Sequence, residues 1–143
     1  MSTTGIKVVI DTNIFITTIG KKSPNRWIFD KIRTGGLELC VSNEILLEYE
    51  EIFSQKTNQV VTRNIINFLL ISPYVHFIDI YFNWNIIEKD PDDNKFIDCA
   101  ISSGAYCLIS NDKHFNEAKN IDFPEITILT LEEFSKEFKP AGQ

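Results

Sequence analysis

The stretch Ile6-Lys7-Val8-Val9-Ile10-Asp11-Thr12-Asn13 reads as a short buried strand that stops on an acid. Four of its first five residues are β-branched and apolar, as in a strand covered on both faces, and Asp-Thr-Asn marks its carboxyl end. Similar runs recur at residues 37–41, 75–80, 106–110 and 126–130. Helical patterns fill the gaps. Ser23-Pro24 reads as a cap followed by proline at the first helical position. Trp27, Ile28, Lys31 and Ile32 then follow at near-helical spacing until Gly35-Gly36. Ser42 or Asn43 caps a helix with the apolar stripe Ile45, Leu46, Tyr49, Ile52 and Phe53. Further helices are expected over 57–71, 93–103, 113–118 and 131–138. Asp90-Pro91-Asp92 is a turn and cap signal. The aromatic stretch Tyr81 to Glu88 has no clear period and is expected to be a loop lying on the core. Strands alternating with helices predict a parallel α/β sheet with helices on both faces.

At 143 residues the chain has the size of one domain, spanning 1–143. A composition of 43% hydrophobic and 24% charged residues is that of a folded chain. No apolar run reaches the roughly 20 residues of a membrane span. The start, Met1 to Lys7, lacks the basic and apolar regions of a secretion leader. Cys40, Cys99 and Cys107 sit among apolar residues with no Cys-x-x-Cys pair, so they read as reduced packing residues in a cytoplasmic protein with no membrane partner. The net charge of −6 argues against binding nucleic acid by bulk electrostatics. Lys21, Lys22, Arg26, Lys31 and Arg33, with Asp30 as the one acid among them, are a local exception. They form either the solvated face of a helix or a phosphate-contacting or docking edge.

Ligands of open α/β sheets bind beyond the carboxyl ends of the strands, and acids fall there. Asp11 ends the first strand, Asp112 lies just past the fourth, and Asp93 opens the helix leading into that fourth strand. Glu48 belongs to the series Glu44, Glu48, Glu51 on the helix after the second strand, and any of the three could be the inward acid. Asp92 stands as an alternative to Asp93, and Asp98 reads as a solvated or accessory acid. Gathered carboxylates repel unless cations neutralise them. Mg²⁺ and Mn²⁺ take carboxylates, waters and phosphate oxygens. Neither His76 nor His114 has a ligand-like partner at helical spacing, so an all-oxygen site is expected, which disfavours zinc. The chemistry implied is phosphodiester hydrolysis by an activated water, with no side-chain nucleophile. Thr12 and Asn13 are placed to orient Asp11, and Ser110 to hold Asp112 or a cation's water by its hydroxyl. Plain turn formation explains Asn13 and Ser110 as well.

Four blocks carry a family resemblance. Val9-Ile10-Asp11-Thr12-Asn13-Ile14-Phe15, Ser42-Asn43-Glu44-Ile45-Leu46-Leu47-Glu48-Tyr49, Asp90-Pro91-Asp92-Asp93-Asn94-Lys95-Phe96 and Leu108-Ile109-Ser110-Asn111-Asp112-Lys113-His114-Phe115 resemble, in order, the blocks of PIN-domain proteins. In particular they resemble those that are toxin components of toxin–antitoxin systems. The resemblance covers about residues 6–131. It implies a three-layer α/β/α sandwich with a central, mostly parallel sheet. It also implies a metal-dependent endoribonuclease using Mg²⁺ or Mn²⁺, with Asp11, Glu48, Asp93 and Asp112 as the catalytic and metal-binding acids. Ser110 stands where the family usually has Thr, and it keeps the hydroxyl. RNA is the implied substrate, with Lys21, Lys22 and Arg26 as candidate contacts. A small antitoxin protein and a second copy of the chain are the implied partners.

Two other classes compete. One is a PIN scaffold without catalysis, docking protein or RNA. The other is a phosphatase with Asp11 as nucleophile, but that chemistry needs an acid two residues on, where Asn13 stands. No Gly-x-Gly-x-x-Gly follows the first strand, which speaks against a dinucleotide site.

Overall fold

The computed structural model describes residues 5–88 and 90–142. Met1–Thr4, part of the start read above for a leader, and Gln143, the end of the expected tail, lie outside the described residues. In chain order the elements begin with β1 (Ile6–Ile10), α1 (Thr12–Phe15), α2 (Arg26–Thr34) and β2 (Leu37–Val41). α3 (Asn43–Lys56), α4 (Gln59–Ile71), β3 (Val75–Phe77) and α5 (Asn94–Ser103) follow. β4 (Cys107–Ile109), α6 (Asn116–Lys119), β5 (Ile128–Leu129) and α7 (Leu131–Phe138) complete the order. Short 3₁₀ turns cover Ile16–Thr18, Pro91–Asp93 and Lys113–Phe115.

The five strands form one sheet in the order β3-β2-β1-β4-β5, every pair parallel. All five residues of β2 and all three of β4 are buried. Successive strand residues face opposite sides, so continuous burial means that both faces are covered. Helices supply that cover, with α5 packed across β1, β2 and β4, and α2 on β2. The expected sandwich is thus present, and its sheet is wholly rather than mostly parallel.

Local chemistry sets several boundaries away from the simple pattern. α2 begins at Arg26, because Ser23 makes a turn first: its hydroxyl accepts the Asn25 N–H at 3.1 Å and its carbonyl the Arg26 N–H at 3.1 Å. Gly35, at φ +86°, ends that helix, and any Cβ there would meet the Tyr74 ring at 2.7 Å. Asn58 accepts the Val61 N–H at 2.9 Å and starts α4 at Gln59 instead of residue 57. β3 stops at Phe77, short of residue 80. Its partner β2 ends at Val41, whose carbonyl takes one last bond from the Ile78 N–H at 2.8 Å. α7 is opened by a reciprocal Thr130–Glu133 capping box.

The aromatic stretch 81–88 is held at three points, one of them the Glu88 N–H, which donates to Glu117 Oε2 at 3.2 Å. Asn94 accepts the Ile87 N–H at 2.8 Å and donates to the Ile87 carbonyl at 2.9 Å, and Asp98 accepts the Trp84 N–H at 3.0 Å. Asp98 is therefore a buried anchor and not a solvated acid. Ile87 lies in the core, while Tyr81 and Phe82 remain exposed. Cys40, Cys99 and Cys107 are free and buried. Among the described residues no helix is long and apolar enough to cross a membrane.

Asn94→Ala leaves both main-chain groups of buried Ile87 without partners. It is expected to cost about 2–4 kcal/mol in urea unfolding and to speed hydrogen exchange over 81–88 selectively. A loss below about 0.5 kcal/mol would contradict the clamp.

Candidate active site

β1 runs on to β2 on one side, and β4 runs on to β5 on the other, so the chain changes direction between β1 and β4. In parallel α/β sheets such a switch point leaves a crevice beyond the strand ends. Asp11 ends β1 there, and its N–H donates to the Ile109 carbonyl of β4 at 3.0 Å. Ser110, one residue past β4, is buried and its N–H is fixed to Leu129 at 2.9 Å. Its hydroxyl donates to Asp11 Oδ2 at 2.7 Å and accepts the Asp112 N–H at 3.0 Å. One small side chain thereby ties the two strand-end acids together. A cleft of about 350 Å³ opens here, with Asp11, Asn13, Thr17 and Asp112 among its walls.

Glu48 reaches the site from α3. The next residue, Tyr49, is fully buried, donates its hydroxyl to the Ile10 carbonyl and stacks on Phe15 with ring centroids 4.5 Å apart. This contact holds α3 against the end of β1. Glu48 then accepts from the Thr12 hydroxyl and pairs with Lys95 at 2.8 Å. Of the three acids on this helix face, Glu48 is the one so placed. The Thr12 hydroxyl serves Glu48, while its main-chain N–H faces the Asp11 carboxylate.

Asp93 enters from the 3₁₀ turn before α5. Its side chain is 14% exposed, whereas Asp92 beside it is 77% exposed and pairs with Lys95 at 3.3 Å. Asp93 Oδ2 is buried with no hydrogen-bond donor among the described residues. Burial, then repulsion from Asp112, Asp90 and Asp11, pushes the Asp93 carboxyl up to about 7. Asp11 is also raised, chiefly by burial, with the Ser110 hydrogen bond opposing and Glu48 and Asp112 adding repulsion. Asp11, Asp93 and Asp112 thus interact within one negative pocket, with Glu48 at its side.

Three residues at this site escaped the sequence pattern. His114 follows Asp112, whose Oδ1 accepts the His114 N–H at 2.9 Å. The turn brings His114 Nδ1 to 3.3 Å from Asp112, 3.5 Å from Asp93 and 3.6 Å from Asp90. The all-oxygen expectation therefore does not describe the donors gathered here. Helical spacing was the wrong test, because the Asp112 side chain caps the N–H two positions on and starts a tight turn there. Asp90 and Lys95 were hidden for the same reason: their roles depend on the turn at Pro91–Asp93. Lys21 and Lys22 are exposed on the loop before α2. Arg26 is engaged internally, with the Ile19 carbonyl, with Asp30 at 3.1 Å and over the Phe29 ring at 4.9 Å.

The donor set fits a divalent cation. A buried carboxylate oxygen without a donor, amid three further acids, is what a hard cation would satisfy. The pH dependence has a definite sign. Folded-state pKa values raised above the unfolded ones contribute stability at low pH that is lost as pH rises through about 7. The metal-free protein is expected to melt at a lower temperature at pH 8 than at pH 5. Asp93→Asn should remove most of that fall, and added Mg²⁺ or Mn²⁺ should reverse it at pH 8. A flat wild-type profile across this range would contradict the crowding.

The chain matches the family model described as "PIN domain" over residues 7–114. No curated protein shows significant sequence similarity to it. Its fold is similar to that of VapBC2 from Rickettsia felis, solved bound to a DNA fragment from their promoter. That likeness has a TM-score of 0.60 at 15% identity and covers 87% of this chain and 98% of that one. It is also similar to the PIN domain endonuclease Utp24, with a TM-score of 0.53 at 18% identity over 87% and 84% of the two chains. FitAB bound to an IR36 DNA fragment gives 0.54 at 12% identity over 86% and 94%. These likenesses speak for the fold, and the family match spans most of the sequence: the chain belongs to the PIN-domain family.

Proposed function

We propose that this protein is a metal-dependent endoribonuclease that hydrolyses RNA phosphodiester bonds, serving as the toxin of a toxin–antitoxin pair. The observation that carries the reading is the convergence of Asp11, Asp93 and Asp112 at the β1/β4 switch point, with a buried Asp93 oxygen that has no donor among the described residues. Asp11, Asp93 and Asp112 would hold Mg²⁺ or Mn²⁺, with Glu48 close by. Such an ion, when bound, neutralises phosphate charge and lowers the pKa of the attacking water.

The chain's own residues have separate tasks. Ser110 orients Asp11 through its hydroxyl and opposes the upward push of burial on that carboxyl, and Asn13 lines the cleft from its rim. Lys21 and Lys22 are candidate contacts for the RNA backbone. Their loop is fastened to the cleft wall, since Ser23 donates to the Thr17 carbonyl and Asn25 to the Thr17 hydroxyl at 2.9 Å. The toxin role and its antitoxin partner draw on the sequence resemblance and on the likeness to VapBC2 and FitAB.

One observation favours a second reading, a non-catalytic scaffold. Lys95 is only 10% exposed and already neutralises Glu48, one of the four acids. Cleavage assays separate the two readings. With Mn²⁺ or Mg²⁺ the wild type should cut RNA, Asp11→Asn should fall to background, and Ser110→Ala should lose about 10- to 100-fold. Equal cleavage by wild type and Asp11→Asn, or none by either, would rule out the nuclease reading.

A further inference from the structure

The site holds a nitrogen donor as well as acids. Asp90 precedes the 3₁₀ turn Pro91–Asp93, Asp93 ends it, and His114 comes from the separate turn after Asp112. One donor atom from each of Asp90, Asp93 and His114 lies within 4.8 Å of the others. His114 Nδ1 stands 3.6 Å from Asp90 Oδ2, 3.5 Å from Asp93 Oδ2 and 3.3 Å from Asp112 Oδ1.

These distances discriminate between an ion pair and a ligand set. A histidine serving as counter-charge would close on one carboxylate, at the roughly 2.7–2.9 Å of a charge-assisted bond. Here the ring nitrogen closes tightly on none of the three and lies 3.3–3.6 Å from each, nearly equidistant. Ligands bound to one ion at about 2.1 Å, at octahedral or tetrahedral angles, sit roughly 3.0–3.5 Å apart. The observed spacings match that range to within about 0.1 Å. Asp93 Oδ2 adds a further sign, as a buried oxygen of this cluster with no hydrogen-bond donor among the described residues.

We propose that His114 Nδ1 is a metal ligand, forming with Asp90 and Asp93 a mixed nitrogen–oxygen site that selects Mn²⁺ or another first-row transition ion over Mg²⁺. The proposal rests on the cation-binding reading above and names the class of cation. Imidazole is a poor ligand for Mg²⁺, which demands oxygen and keeps its waters, and a good one for transition ions. Asp112 caps the main-chain N–H of residue 114 whatever side chain stands there, so replacing the imidazole spares that turn.

The test is Mn²⁺ binding by the full chain, followed by electron paramagnetic resonance with Mg²⁺ as competitor. Wild-type protein should show a directly bonded ¹⁴N in pulsed spectra and should prefer Mn²⁺ to Mg²⁺ by about tenfold or more. His114→Ala should lose the nitrogen signal and most of that preference. Mn²⁺ bound by wild type through oxygen alone overturns the proposal and leaves the cation-binding reading standing. A nitrogen signal that survives His114→Ala overturns it too. No Mn²⁺ binding by wild type overturns both. The wild-type spectrum decides without any variant having to fold.

Discussion

Mutual repulsion among carboxylates in a partly buried pocket is the constraint around which this molecule is arranged. Like charges a few ångströms apart, with little water between them, cost several kcal/mol unless something opposes them. The opposing groups can be named. Ser110 gives Asp11 a hydroxyl proton, the His114 N–H faces Asp112, and Thr12 with Lys95 answers Glu48. Asp93 Oδ2 receives no hydrogen bond from the described residues, and its carboxyl is pushed up to about 7. The crowding is thus relieved unevenly, and the residual charge is concentrated where a cation would be held.

The fold holds that charge in place through contacts that are mostly apolar or main-chain. Val8–Ile10 of β1 and all three residues of β4 are buried and paired with one another, so Asp11 and Ser110 leave the sheet at fixed positions. Tyr49 locks α3 onto the last carbonyl of β1. Phe96 and Phe115 meet edge to face with centroids 6.5 Å apart, joining α5 to the turn after Asp112. Each acid therefore sits within three residues of a buried anchor. That arrangement gives precision to a polar site whose own interactions are repulsive.

Much of this was written into the sequence. The β-branched runs marked the strands, because a parallel sheet buried on both faces admits little else. Acids right after such runs marked the crevice, because that is where parallel strands end together. Asp93 and not Asp92 faces inward, and Glu48 rather than Glu44 or Glu51 meets Thr12, but neither choice was visible in the spacing. Both depend on the rotation of a helix or turn about its axis, which tertiary packing sets. His114 was missed since a search at helical spacing cannot see a 3₁₀ turn. β3 came out shorter than its apolar run because a strand lasts only as long as its neighbour. Asp98 looked like a surface acid, and only the fold of the 81–88 stretch over α5 makes it an anchor.

The central claim is that residues far apart in the chain make one negative pocket built for a divalent ion. A crystal of the protein soaked in Mn²⁺ and measured at a wavelength where manganese scatters anomalously tests it directly. The account predicts an anomalous peak within bonding distance of Asp93 and at least one of Asp11 and Asp112. A well-ordered crystal with these acids in place and no peak among them, at millimolar Mn²⁺, would contradict it.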